Sequence, residues 1–566
     1  MASRTATEKD RAAAVRKLPA DEENLPPRDN VLLSLRYTFA ACEKLGRILG
    51  HHEASQPHRE RRLDPMLRFA SVLLACLVIL GLTGLYSVAQ SPSEIPDPSA
   101  NFRTIIPHRD AIPVPAPLTE FPPENETLLP NFFSFSGSPY MVGATIDPTS
   151  TVPEAEEHIA VDPNNFNHLI AMISDFSLNG GFNTSKYAFS SNDGSSWSQH
   201  FVPLSGGFPA TADGHIWQAN SDPVVAMDKL GNVYLANLYL QVKGNKVSND
   251  GYYVCSATLA SGPTFKQSGC HAVRTTLTAS SNSEDKEWIA ADNSSSTFSG
   301  NVYASWTHFT SSTDAIWFSR STNHGVNWSA PIQINRSSQD GAVQGSQIAV
   351  GPAGEVYVAY EVFLASGQGR HYIAKSTNGG VSFGTPVPLT PVFNNLSFTA
   401  TYRDNTFPAL AVSPVSGKGF IYDVYTDQPA TNARTAFVRS TASGGLTFTS
   451  PITVNDSTTG QRLMPAVAAD TNGVVHMSWF DTRNSSSTGL LDIYATFTTN
   501  NGSSFAPNAR VTSVHINAGG AGFIGDYSGI APGSNGTMSH AHPVWTNGGV
   551  GGTTSGRMQT ATLTVP

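Results

Sequence analysis

A chain of 566 residues has room for several domains, yet its formal charge of −9 and its 14% of charged residues leave no basic stripe to track a phosphate backbone. Nucleic acid is therefore excluded as a partner. The sequence also holds no Gly-rich phosphate loop, no Gly-x-Ser-x-Gly elbow and no HExxH pair, which removes several common chemistries.

Residues 1–68 read as a polar tail rich in Lys and Arg, with one amphipathic stretch from Val31 to Leu49. Phe69 to Val88, FASVLLACLVILGLTGLYSV, then runs for 20 residues without a charge, long enough to span a bilayer as a helix. Thirteen Lys/Arg precede it, and only Arg103 and Arg109 occur in the next forty residues. This bias predicts a single-pass anchor with a cytoplasmic N-terminus and everything beyond it exported. Ser87-Val88-Ala89 also fits a small-x-small cleavage site, so secretion after cleavage near Ala89 is the alternative. The long charged region before the apolar run favours the anchor. Residues 89–135 read as an extended spacer, with nine prolines between Ser91 and Pro123.

From 136 to 566 the chain repeats itself. An eight-residue turn recurs as SSNDGSSW from Ser190, TLASGPTF from Thr258, STNHGVNW from Ser321, STNGGVSF from Ser376, TASGGLTF from Thr441 and TTNNGSSF from Thr498. Successive starts lie 68, 63, 55, 65 and 57 residues apart, the length of one propeller blade. Asn and Gly at the bend tolerate positive φ, the hydroxyls tie the turn to itself, and the closing aromatic plugs it from below. Interleaved with these turns are seven apolar hairpins, beginning at His158, Asp222, Glu287, Gln347, Pro408, Pro465 and Tyr527. Seven hairpins against six turns predict an all-β propeller of seven four-stranded antiparallel blades, the last one short of a strand. Tyr140–Ile146 (YMVGATI) is the candidate to complete it and close the ring; six blades is the alternative.

Cys255 and Cys270 flank the degenerate second turn, on strands three and four of one blade. Hairpin pairing there would bring them together as a disulfide, in keeping with export; two buried free thiols is the other reading. Two loop sets converge on one face of a propeller: the starts of the first strands and the ends of the second. The starts carry Glu156 and Glu157, Asp222, Asp285 with Lys286 and Glu287, Arg403 with Asp404, Arg462, and Asp526 with Tyr527. The ends carry Asp175, Tyr239, His308, Glu361, Asp427, Asp481 with Arg483, and Asn547. In a chain this poor in charge, such density points to a site for an anionic or polyhydroxylated ligand. Asp175, Asp427 and Asp481 also fit as loop caps, and the arginines as salt bridges between blades. His540-x-His542 lacks a third ligand, so no metal is assigned, and no cofactor or structural calcium is indicated.

The repeated turn resembles the Asp-box of sialidases and other BNR-repeat propellers, with Asn mostly replacing Asp. DYSGIAPGSNG at Asp526 resembles the last functional strand of sialidases. The resemblance implies a structural role for the boxes and a glycosidase of exo-α-sialidase type acting on glycans. It makes Tyr527 the nucleophile, because a neutral phenol approaches a carboxylate-bearing centre with less repulsion than a carboxylate. Glu287 or Glu361 would activate it, and Asp404 or Asp481 would be the acid/base. Arg403, Arg462 and Arg483 would clamp the substrate carboxylate, with Arg434 in reserve, and Lys286 and Asp526 would complete the binding set. No Arg-Ile-Pro opens the first blade, and a seventh blade departs from the sialidase ring. A non-catalytic propeller that binds glycans or proteins is the competing expectation, with Tyr527 wedged between blades and bonded to a backbone carbonyl.

Overall fold

A computed structural model describes residues 139–566 apart from 150–153, 177–183, 205–213, 244–245, 260–261, 278–281, 365–366, 397–405, 486, 488, 519–522, 535 and 549–555. The tail, the apolar segment 69–88, the spacer, Arg403 and Asp404 lie outside these residues. Among the described residues no helix is long and apolar enough to cross a membrane.

The described chain forms seven antiparallel sheets, six of them built in up-and-down order from four consecutive strands. The first strands of blades one to seven are Glu154–Asp162, Ala219–Met227, Ser283–Ala291, Val343–Val350, Ala409–Val412, Arg462–Ala469 and Gly529–Ser534. Blade seven is completed from the other end of the domain: Met141 pairs with Thr564 and Val142 with Leu563. A further bridge joins Ile146 to Thr560. Tyr140, 1% exposed, is buried between blades six and seven, and its hydroxyl meets His476 Nδ1 at 2.5 Å. The expected closing strand is therefore in place, and the ring has seven blades.

The core is not central but divided among the seams. Seven apolar clusters each join two successive blades, from Ile170, Trp217 and Tyr253 between blades one and two to Ile159, Ala531 and Val544 between blades seven and one. Side chains of the inner strands alternate toward the two neighbouring sheets, so the second strands of the blades are almost wholly buried. Polar latches reinforce the last seam. Asp193 of blade one accepts from His540 (3.1 Å) and His542 (2.9 Å) of blade seven.

The repeated turns join third to fourth strands, and four of them share one bonding scheme. In the first, Gly194 N–H donates to Ser190 Oγ (3.0 Å), Ser196 N–H to Asn192 Oδ1 (2.9 Å), and Trp197 Nε1–H to Gly194 O (2.9 Å). The hydroxyl and Asn bonds recur in the turns beginning at Ser321, Ser376 and Thr498. In blade two Cys255 and Cys270 are paired across strands three and four and joined as a disulfide, with Cα atoms 3.8 Å apart.

Candidate functional site

One irregularity, repeated around the ring, builds the axis. The first strands of blades one, two, three, four and six each slip register by a bulge at the same place. The leading bulge residue has positive φ in all five: Glu156 (65°), Asp222 (51°), Lys286 (53°), Gly345 (68°) and Met464 (46°). Phe407 and Tyr527 stand at the matching positions ahead of the first strands of blades five and seven. Four side-chain-bearing residues in this sparsely used conformation are strain held by the surrounding sheets, and such bulges re-aim side chains where function needs them.

The seven positions divide by chemistry. Glu156, Asp222 and Lys286 form a charged arc, while Gly345, Phe407, Met464 and Tyr527 form an apolar one. Lys286 Nζ lies 3.8 Å from Glu156, 3.6 Å from Asp222 and 3.7 Å from Asp285, and it also pairs with Asp526 of blade seven. One ammonium thus ties together blades one, two, three and seven. Burial pulls the Lys286 pKa down, but the carboxylates of Asp222, Asp285, Asp526 and Glu156 outweigh it and hold the ammonium charged. The carboxyls respond in the opposite sense. Burial, then the charge of Glu156, pushes Asp222 well up, and burial, then Asp222, does the same to Glu287. Burial raises Glu157 to about 8, although Thr546 donates to it at 2.5 Å.

Beside this cluster lies a small cavity of about 20 Å³, walled by Lys286, Glu287, Trp288, Ser346, Phe407 and Tyr527 among others. Glu287 is 2% exposed, and neither of its carboxyl oxygens finds a hydrogen-bond partner on another described residue. The Tyr527 ring meets Trp288 edge-on at 6.0 Å, and its hydroxyl donates to the Pro223 carbonyl of blade two at 3.1 Å. Burial, then Glu156, Asp222, Glu287 and Glu157, pushes the phenol well above its ordinary pKa. A carboxyl whose pKa is raised, beside a small aromatic-walled cavity, has the character of a proton donor.

The structure brings Tyr527, Glu287, Lys286 and Asp526 together and places Arg434, Arg462, Arg483, Glu361 and Asp481 elsewhere, while Arg403 and Asp404 lie outside the described residues. Arg462 is fully buried, donating to the carbonyls of Ala433 (3.2 Å), Gly460 (2.7 Å) and Ser457 (2.9 Å) and to Asp481 (3.2 Å). Arg483 pairs with Asp481 (2.7 Å) and Asp456 (2.5 Å) and lies over the Tyr494 ring. Arg434 pairs with Asp427 at 2.7 Å in blade five. Each of these arginines is bonded within the loops and strands of blades five and six, and none lines the axial cavity. Asp481 also accepts from Trp479 Nε1 (2.9 Å), completing a local network. Glu361 is buried in blade four, where burial raises it to about 8 despite His371 nearby. Among the second-strand ends, Asp175 pairs with Lys186, His308 with Glu284 at 2.9 Å, and Tyr239 donates to Pro203 O at 2.6 Å beside the disulfide. Trp288, Ser346 and Phe407 were not foreseen. Their signal was the bulge alignment itself, which places Phe407 at, Ser346 one residue after and Trp288 two residues after the positions equivalent to Glu156 and Tyr527.

No protein-family model matches the chain, and no curated protein matches it in sequence. Solved structures do resemble it. A Dyadobacter fermentans protein described as of unknown function is 13% identical, with 76% of this chain and 100% of that one covered and a TM-score of 0.42. The leech intramolecular trans-sialidase, solved with 2,7-anhydro-Neu5Ac, is 12% identical over 59% of this chain and 65% of its own, with a TM-score of 0.40. The Penicillium chrysogenum α-L-arabinanase, solved with arabinobiose, is 12% identical over 75% and 98%, also at 0.40. Further neighbours are described as sialidases and as a polysaccharide lyase.

Proposed function

We propose that this propeller is a glycosidase working outside the cytoplasm, with Glu287 as the proton donor in the axial cavity. The observation that carries the reading is Glu287 itself: a buried carboxyl, raised in pKa, without a bonding partner, facing a cavity walled by Trp288 and Tyr527. A group with no structural bond to make, held protonated by burial and a neighbouring charge, suits protonation of a leaving glycosidic oxygen. The Cys255–Cys270 disulfide supports an oxidising compartment, and the charge bias around 69–88 supports a single membrane anchor with the propeller exported.

Exo-α-sialidase chemistry is the finer form of this reading, favoured by Tyr527 sharing the cavity with Glu287. It requires the phenol to leave the Pro223 carbonyl and an arginine to reach the cavity. A non-catalytic glycan-binding propeller is favoured instead by the Tyr527–Pro223 bond, which reads as a wedge between blades. The purified full-length protein, assayed on aryl glycosides that include a sialoside, separates these. Glycosidase action predicts turnover that falls about 100- to 10,000-fold in Glu287→Gln. Binding without turnover on the whole panel would overturn it in favour of the second reading.

A further inference from the structure

We infer that a cleft between blades six and seven, away from the axis, binds one uncharged sugar residue of a glycan. The cleft holds about 190 Å³ and is lined by Thr145, Asp147, Thr512, Ser513, Val514 and Gln559, none of which belongs to the axial set. A water takes up about 30 Å³ in the liquid, so the space equals about six waters, the bulk of a single sugar ring. The site goes beyond the glycosidase reading, and its occupancy does not depend on Glu287.

The fold puts this cleft where the two ends of the domain meet. Thr145 and Asp147 flank Ile146, which is bridged to Thr560, and Gln559 stands on the strand Met558–Thr560. The opposite wall is the chain that leaves the strand Ala509–Arg510 of blade six. Thr512 Oγ1 donates to Asp492 at 2.9 Å, and Asp492 pairs with Asp481, the last residue of blade six's second strand. Gln559 pairs with Trp545, beside the end of blade seven's second strand, Ser539–Thr546. Both walls therefore lie at second-strand ends, on the same face of the ring as the first-strand starts. Ser513 and Val514 are exposed, so the cleft opens to solvent there.

The lining decides the class of ligand. The side chains of Thr145, Ser513 and Gln559 are hydrogen-bonded to no other described residue, and each can both donate and accept, as a sugar hydroxyl does. Asp147 Oδ2 accepts from Arg557 at 2.9 Å, which leaves Oδ1 as a further acceptor. No cation lines the cleft. Arg510 and His515, the basic residues flanking the blade-six wall in sequence, are bonded to Asp492 at 2.7 and 3.2 Å. A carboxylate or phosphate would lose water there and meet Asp147 without a cation to answer it. A neutral sugar finds donors and acceptors side by side and can set its C–H face against Val514.

The test reads binding rather than turnover. Full-length wild type, Ser513→Trp, the double variant Ser513→Ala/Gln559→Ala and Glu287→Gln are applied to a printed array of matched neutral, uronate-terminated and sialylated glycans. Methyl glucoside, galactoside and mannoside are titrated against each in solution by saturation-transfer NMR. The inference predicts neutral glycans retained over acidic ones, with Glu287→Gln binding like wild type. Binding should be lost when Ser513→Trp fills the cleft, and weakened by about tenfold in the double variant, which removes two hydrogen-bonding groups. If Ser513→Trp does not fold, the double variant decides. Acidic glycans preferred, no neutral sugar bound, or neutral binding unchanged by the cleft variants overturns the inference. Binding lost in Glu287→Gln but kept in the cleft variants overturns it too, and places the sugar at the axis. Absence of turnover would defeat the glycosidase reading and leave this readout in force.

Discussion

Gly345→Ala is the substitution that tests the packing of the apolar axial arc most sharply. Gly345 has a φ of +68°, and a Cβ built on it would stand 2.1 Å from Phe407 Cδ1 and 2.3 Å from its Cγ. Two costs are then separable. The backbone conformation costs a side-chain-bearing residue about 1–2 kcal/mol, a cost that Glu156, Asp222, Lys286 and Met464 already bear at the equivalent positions. The collision with an aromatic ring adds about 1–3 kcal/mol of overpacking. Gly345→Ala should therefore destabilise by about 2–5 kcal/mol. In a Phe407→Ala background only the backbone part should remain, giving a coupling of about 1–3 kcal/mol. Urea unfolding of the wild type, both single variants and the double variant measures this directly. A Gly345→Ala cost that is the same with and without the Phe407 ring would refute the argument that ring contact, rather than φ, reserves the position for glycine.

Three further outcomes follow from the same structure. Tyr140→Phe removes the partner of His476 Nδ1 and should cost about 1–3 kcal/mol, with hydrogen exchange faster in the strand Met141–Val142 than elsewhere in blade seven. Serine in place of both Cys255 and Cys270, which are 15 residues apart, should cost about 3 kcal/mol, read as the difference in thermal unfolding with and without reductant. Glu157 and Glu361 are each raised by burial to about 8. Their contribution to stability is complete below the ordinary carboxyl pKa and is lost as pH rises through about 8, so the fold should weaken from mildly acid to mildly alkaline pH. Glu157→Gln should flatten that slope in chemical unfolding at a series of pH values; an unchanged slope would count against a protonated Glu157.

The propeller was legible because its determinants are local. Hairpin turns, alternating apolar runs and the Ser-x-Asn-x-Gly turn each close within a dozen residues, and their count left one strand for Met141–Val142 to supply. The axial positions of Glu156, Asp222, Lys286 and Tyr527 were legible too, since repeats align them. What the sequence hid was partnership. Nothing local says that Arg462 satisfies three carbonyls on neighbouring loops, or that Asp456 reaches Arg483. Free arginines and bonded arginines look alike in one dimension. The apolar half of the axis was hidden for a different reason: Gly345, Phe407 and Met464 carry no charge, so a search for charged rings passed over them. Tyr527 shows both effects, placed at the axis by the repeat and turned by a contact with Pro223 that only the closed ring creates.

The most direct test of the account concerns what Glu287 does when a glycosidic bond breaks. Wild type and Glu287→Gln are compared on the preferred sugar carrying either a 2,4-dinitrophenyl group, which departs without a proton, or a plain phenyl or alkyl group, which needs one. A proton donor predicts near-normal release of dinitrophenolate by Glu287→Gln and a loss of about 100-fold or more on the poor leaving group, together with loss of the alkaline limb of the pH profile. Equal losses on both substrates, or none on either, would contradict the assignment of Glu287 as the acid of the axial site.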